Sequence, residues 1–369
     1  MRSDKALAWL RLAMVRGIGP MTGRRLVQAV GGIEKLYSLP IRELQAMDGI
    51  GPAVSSALEQ NLDQAVASVV EVCEQRGIGL LCPDDSAWPA TLYPYDDAPL
   101  LLFFQGETSS MHDSRMLAVV GARRASRESS LITRRWCSYL SNRDVCIVSG
   151  MAYGIDAAAH GGALEGESPT IAILGCGLAA LSAQQQRQTQ AIAARGCVLS
   201  EFLPRISARP EHFPRRNRII ASLSHATLVM EADVRSGSLI TARNAIDYGR
   251  EVFAVPGSVL GGNHAGCHQL IREGAVLAES ADDVLKNMGW EQAGKRTSTG
   301  GKAYQPSDAA ESRLLQALAT ESMHLDHLAE TCGLTVPELS PIVLRLELQG
   351  IIERLPGSRY LLSVELHRT

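Results

Sequence analysis

MLAVVGARRAS, residues 116–126, decides the fold. Five apolar residues run without a polar break, a glycine follows, and then come two arginines. An unbroken apolar strand is buried on both faces, as in a parallel sheet covered on each side by helices. The same texture returns in VCIVSG (145–150), TIAILGCG (170–177), CVLSE (197–201), ATLVMEA (226–232), EVFAVPG (251–257) and AVLAE (275–279). The stretches between carry apolar residues at three- and four-residue spacing, which predicts helices. Strand–helix alternation defines an α/β fold with a mostly parallel sheet. Ligands of open α/β sheets sit at the carboxyl ends of the strands. Function is therefore expected in the loops that begin at Gly121, Ser149, Gly175, Glu201, Glu231 and Pro256.

The chain of 369 residues has room for two or three domains. Ahead of the sheet region, LAMVRGIGPMTGRRLVQAV (12–30) is echoed by LQAMDGIGPAVSSALEQ (44–60). Each reads as helix, Gly-Ile-Gly-Pro turn and second helix, with proline at the first helical position. The free amides at that helix start suit phosphate, and the pair resembles a helix-hairpin-helix element. The first copy carries Arg24 and Arg25 after its turn, the second Ser55 and Ser56. A small packing module is the alternative reading. Residues 291–307, EQAGKRTSTGGKAYQPS, are polar, rich in Gly, Ser and Thr, and aperiodic, which predicts a linker. The tail reads as an amphipathic helix, a helix-turn-helix and a hairpin at Pro356-Gly357-Ser358, a winged-helix pattern. Residues 308–369 hold five Arg and no Lys against nine Asp and Glu. That balance repels phosphate, so a protein contact or a structural role is expected there.

A composition of 46% hydrophobic and 20% charged residues belongs to a globular chain with an ample core. Eight cysteines include no C-x-x-C pair, which predicts neither a zinc ribbon nor a disulfide framework but a reducing cytoplasmic setting. No apolar run approaches the roughly 20 residues of a membrane helix. Arg11 and Arg16 interrupt the apolar N-terminus, so a signal peptide is not expected. The formal charge of -3 leaves nucleic-acid binding open, since that needs only a local patch.

GCGLAA (175–180) fits G-x-G-x-x-A, and Glu201 ends the next strand, as in a dinucleotide fingerprint. It falls on the third strand rather than the first, so a nicotinamide cofactor is not expected. Asp156 and His160 share one helix face. They read as an acid/base pair or, more simply, as a helix cap and a hydrogen-bonded, partly buried histidine. Arg123 and Arg124 follow a strand, where guanidinium groups and amides together hold phosphate. Ser236, Gly237 and Ser238 precede a helix, a second anion site. No Walker A loop occurs, which argues against a nucleoside-triphosphate motor. His264, Cys267 and His268 match no metal-ligand spacing and read as loop residues. From Arg205 to Arg218 there are five arginines and one acid, with Phe213 among them. Cations at a helix N-terminus oppose its dipole by about 0.3–1 kcal/mol each, so an anionic ligand is expected beside them; the alternative is an arginine-rich helix start salt-bridged to neighbouring acids. Aromatic faces with arginine forks suit single-stranded nucleic acid.

VVGARRAS, SGMAYGIDAAAH, FPRRNRIIASLS, RSGSLITARNAIDYGREVFAVPG and LIREGAVL occur in this order. Together they resemble the bacterial DNA-processing protein A family, DprA/Smf, most strongly over 77–290. The resemblance implies an extended Rossmann-like domain at 77–290 and a helix-hairpin-helix/SAM-like domain at 1–76. It also implies the 291–307 linker and a winged helix at 308–369. It implies a non-enzymatic, cytoplasmic homodimer that binds single-stranded DNA without sequence preference, loads RecA recombinase in natural transformation, and needs no cofactor or metal. Carried over by motif position, Arg123 and Arg124 contact the DNA backbone, Ser149 and Gly150 line the pocket, and Phe213 stacks on a base. Arg215, Arg216, Asn217 and Arg218 form the basic wall, and Ser236 and Gly237 close it. Arg123→Glu or Arg218→Glu is then expected to abolish binding in a folded protein. Two departures stand out: GLAALSAQQQRQ (177–188) carries only Arg187 where relatives have basic residues, and Tyr153 stands where they have Arg or a small residue. A nucleotide-processing enzyme of the phosphoribohydrolase kind, using Glu231 or Asp156, is the alternative, although VPGSVLGGN (255–263) breaks the P-G-G-x-G-T-x-x-E pattern of that class.

Overall fold

The computed structural model describes residues 4–45, 52–112, 115–291, 306, 308–318, 322–349, 351–355 and 357–362. Nine strands form one sheet: β1 (Gly79–Leu81), β2 (Leu102–Gly106), β3 (Met116–Val120), β4 (Cys146–Ser149), β5 (Thr170–Ile173), β6 (Cys197–Ser200), β7 (Ala226–Val229), β8 (Glu251–Ala254) and β9 (Val276–Leu277). Their order is β1-β2-β6-β5-β4-β3-β7-β8-β9. From β6 to β9 every pairing is parallel, while β1 and β2 add an antiparallel margin. All seven strands expected from the sequence are present. β1 and β2 were not among them.

The apolar runs are continuous because each strand serves two cores. On β3, Met116, Ala118 and Val120 enter one hydrophobic cluster and Leu117 and Val119 another. On β4, Cys146 and Val148 share the first cluster and Ile147 the second. A period of two with apolar residues at both phases needs helices on both faces. The chain runs outward from β3 to β6, then crosses back to lay β7 on the free side of β3. β3 and β7 therefore flank the topological switch point, where their carboxyl ends open a crevice.

Residues 1–291 and 292–369 are two compact units. Within the first, the N-terminal helices share a core with the sheet region: Trp9, Leu10, Leu26 and Leu36 join Leu101, Phe103, Ala172 and Val198. The Trp9 indole donates to Asp84 at 2.6 Å. The first Gly-Ile-Gly-Pro turn leads into helix Pro20–Val30. Its Arg24 donates to the Tyr93 carbonyl and its Arg25 pairs with Asp96 at 3.5 Å. Both arginines are thus directed to the protein's own 93–96 loop. The glycine turn of the second copy, 49–51, lies outside the described residues, as do 292–305 and 307 of the expected linker.

In the second unit, helices Ala309–Leu318, Leu325–Cys332 and Val336–Leu348 pack with β10 (Met323–His324), β11 (Ile352–Leu355) and β12 (Arg359–Leu362), which pair in the order β10-β12-β11. This is the winged helix. Arg345, the one cation of the third helix, lies 3.4 Å from the fully buried carboxylate of Glu311. It is held by the unit's own core.

Candidate functional site

A cavity of about 750 Å³ opens at the switch point between β3 and β7. Three segments wall it: the loop after β3, the start of helix His212–Leu223, and the loop after β7 that enters helix Ser238–Asp247.

The first wall carries Arg123 and Arg124, both exposed. Ser126 caps helix Arg127–Ser141, its hydroxyl accepting from the Ser129 amide. The buried Glu231 carboxylate accepts from the Ser126 amide at 3.0 Å and hydroxyl at 2.7 Å, and the Glu231 carbonyl accepts from the Ala122 amide at 2.7 Å. One carboxylate on β7's exit thereby fixes the loop that presents two cations. Gly154 borders this loop at φ +78°, and a Cβ there would lie 2.2 Å from the Ala122 oxygen. Only glycine meets both conditions.

The second wall comes from one face of helix His212–Leu223. Phe213, Arg216, Asn217 and Ile220 line the cavity, at spacing i, i+3, i+4, i+7. The Arg123 guanidinium lies 4.4 Å from the Phe213 ring centre, a cation–π pair bridging the two walls. Arg216 is buried and donates to the carbonyls of Gly150 and Ile173, both at 2.5 Å, and to Asn217 Oδ1 at 3.0 Å. A Cβ on Gly150 would meet this guanidinium at 1.9 Å, so Gly150 is glycine to admit Arg216. Asn217 Nδ2 donates to the Gly237 carbonyl at 3.2 Å, tying the second wall to the third. There Ser236 Oγ and Ser238 Oγ are 2.7 Å apart at the helix entrance. The space over Gly237 is open.

The cavity thus unites Arg123, Arg124, Phe213, Arg216, Asn217, Ser236 and Gly237. The remaining expected site residues lie elsewhere. Ser149 is wholly buried and donates to the Val119 carbonyl at 2.6 Å, a cross-strand bond inside the sheet. Gly150 lies beneath Arg216. Arg215 and Arg218 project from the other side of their helix toward Glu201. Arg218, 13% exposed, bonds the Glu201 carboxylate and the Asp97 carbonyl, and Arg215 Nε lies 3.6 Å from the same carboxylate. The wall therefore holds Arg216 and Asn217 without Arg215 and Arg218. Helical spacing from Phe213 was the signal that could have separated them.

Asp156 and Glu231, offered by the sequence for the enzymatic alternative and not among the expected DNA contacts, also line the cavity. Glu231 was legible as a carboxylate ending an otherwise apolar strand. Asp156 accepts from the Gly150 and Ala152 amides at 3.2 and 3.3 Å. Burial pushes its carboxyl up, against the opposing charge of Arg216 and these amides. His160 is buried, hydrogen-bonds Thr170 at 2.9 Å, and is pushed down to about 3 by burial and by Arg216. It is a neutral, hydrogen-bonded histidine as in the simpler reading, but buried rather than partly buried, and the helix is capped by Gly154 rather than by Asp156.

The GCG loop is closed. The Gly177 amide donates to the Ile206 carbonyl and the Ala179 amide to the Pro204 carbonyl, both at 2.8 Å. These amides are directed to backbone where a pyrophosphate would need them, which removes the physical basis of the dinucleotide fingerprint. His264 Nδ1 faces the Val255 carbonyl, His268 Nε2 accepts from the Gly257 amide, and Cys267 Sγ faces the Val229 carbonyl. Among the described residues, no group of three or more His, Cys, Asp or Glu could hold a metal ion.

The chain is thus an extended Rossmann-like protein with a cationic, aromatic-walled cavity at its switch point, joined to a winged helix. The family model of DNA recombination-mediator protein A matches residues 79–289, and that of the DprA winged helix domain matches 301–358. Protein Smf of Escherichia coli (strain K12) is 37% identical over 290 residues, 77% of each chain. The X-ray structure of DNA processing protein A from Streptococcus pneumoniae superposes with a TM-score of 0.67 at 33% identity, covering 78% of this chain and 98% of that one. DNA processing protein A from Helicobacter pylori, studied for its unique single-stranded DNA binding mode, gives 0.52 at 26% identity over 57% of this chain and 95% of its own. The chain belongs to the DNA-processing protein A (DprA/Smf) family.

Proposed function

We propose that the protein binds single-stranded DNA without sequence preference in the switch-point cavity. The observation that carries this reading is the Arg123–Phe213 pair beside Arg124 and the open space over Gly237. Arginine neutralises phosphate and the ring offers a stacking surface indifferent to base identity. The acids present are engaged elsewhere: Glu231 on Ser126, Asp156 on two amides, and Asp233 on the Arg235 amide at 2.6 Å. That engagement favours binding over phosphoribohydrolase catalysis, for which Glu231 or Asp156 would have to be free. Release of free base from nucleoside monophosphates would reverse this preference.

Family membership supports the finer reading: a cytoplasmic homodimer, formed through the Rossmann-like domain, that loads RecA onto single strands during natural transformation. No helix of the described residues is long and apolar enough to cross a membrane. Fluorescence anisotropy with oligo-dT and a duplex of equal length, across a salt series, tests the site. Affinity for the single strand should fall with a log–log slope of about -0.7 per neutralised phosphate. Arg123→Glu should reduce it by at least tenfold, with the folded state retained because this side chain is exposed. Unchanged binding by that variant would place the strand elsewhere. RecA filament formation on protein-coated strands, and sedimentation of the full chain, test the loading and the dimer.

A further inference from the structure

The loop between β8 and helix Ala265–Arg272 carries two large apolar side chains in open water. Val259 is 80% exposed and Leu260 87%. Both ends of the loop are fixed: the Val255 amide donates to Val229 O at 3.0 Å and the Gly266 amide to Ala232 O at 2.8 Å. Its tip is shaped by the Leu260 amide donating to Ser258 Oγ at 3.2 Å. The loop springs from the same carboxyl edge as the cavity, and its Asn263 lines the cavity. One more exposed apolar residue, Ile240, lies in its lining, and another, Val234, follows the lining residue Asp233 in the chain. A cavity that holds two arginines and Ile240, and takes Asn263 from the loop that carries Val259 and Leu260, fits a ligand that alternates charge with apolar rings. An unpaired nucleic-acid strand presents both, whereas a duplex hides its ring faces in the stack.

We propose that the Ser258–Leu260 tip is an apolar contact for the bases of a single strand whose phosphates lie along Arg123 and Arg124. The proposal rests on the reading of the cavity given above and adds to it the source of the preference for unpaired strands. The test uses the full chain with Val259→Ser/Leu260→Ser, oligo-dT, and an abasic strand of the same length. Both side chains are exposed, so the variant keeps the parent's thermal midpoint. The parent binds oligo-dT more tightly than the abasic strand. The variant loses about tenfold on oligo-dT, the equivalent of about 1.4 kcal/mol, loses little on the abasic strand, and keeps the parent's salt slope. Equal loss on both strands, or no loss on either, overturns the proposal. Arg123→Glu is measured alongside. If it leaves oligo-dT binding intact, the cavity reading itself fails. If it abolishes binding while the loop variant matches the parent, only the loop contact fails.

Discussion

Arg218 and Arg216 stand two residues apart and do different work. Arg218 neutralises a nearly buried Glu201, 4% exposed. Breaking a fully buried pair costs about 3–5 kcal/mol, and loss of Arg218 would approach the lower end, since Glu201 would keep only the exposed Arg215. Arg218→Glu, which would set two carboxylates together, should therefore unfold at markedly lower urea and report on stability rather than on DNA. Arg218→Met with Glu201→Leu should recover most of the loss. Two glycines give a contrasting pair. Gly154→Ala places a Cβ into the Ala122 carbonyl at a left-handed φ and should lower stability by about 1–3 kcal/mol. Gly237→Ala meets no atom at φ -64° and should leave the urea midpoint unchanged or slightly raised. If a phosphate approaches that backbone, the same substitution lowers strand affinity in a fully stable protein. The sequence made the arginine-rich segment legible as a cluster. It did not show which members face the cavity, because that depends on helix phase and on an acid, Glu201, contributed from beyond another strand.

At the scale of elements, the parallel strands were legible because burial on both faces leaves no polar residue to interrupt them. β1 and β2 escaped notice because they are antiparallel and partly exposed: Gly79, Leu80, Phe104 and Gln105 are half-buried and Gly106 exposed. The fingerprint glycines misled for a related reason. Gly177 is glycine because the Leu203 and Pro204 carbonyls would lie 2.1 and 2.3 Å from a Cβ. Close backbone packing selects the residue that phosphate binding also selects. Helix Ile155–Glu165 carries a pH dependence through His160. Its folded value is about 3, below the roughly 6.5 of an unfolded histidine. Above pH 6.5 both states are neutral and the full stability is present. Between pH 6.5 and 3 the unfolded chain takes up a proton that the folded chain does not, and stability falls by at most about 1.4 kcal/mol per pH unit. Urea midpoints at pH 7 and pH 5 should therefore differ less in His160→Gln than in the parent.

For the whole molecule, the N-terminal helices are part of the first unit's core, and Arg24 and Arg25 grip the 93–96 loop. The winged helix holds its one third-helix cation on Glu311. A chain ending at Glu291 should therefore bind oligo-dT with the affinity and salt slope of the full chain, as anisotropy would show; a shallower slope would assign phosphate contacts to the second unit. The switch-point topology has a further consequence, for the order in which the molecule is made. The cavity draws on residues 120–124, 210–217 and 231–241, and its floor exists only once β7 has been laid beside β3. Domains fold as units as the chain emerges during synthesis. A ribosome must release more than half of this polypeptide before the cavity can form, so the binding proposed for it would belong to finished molecules and not to nascent fragments.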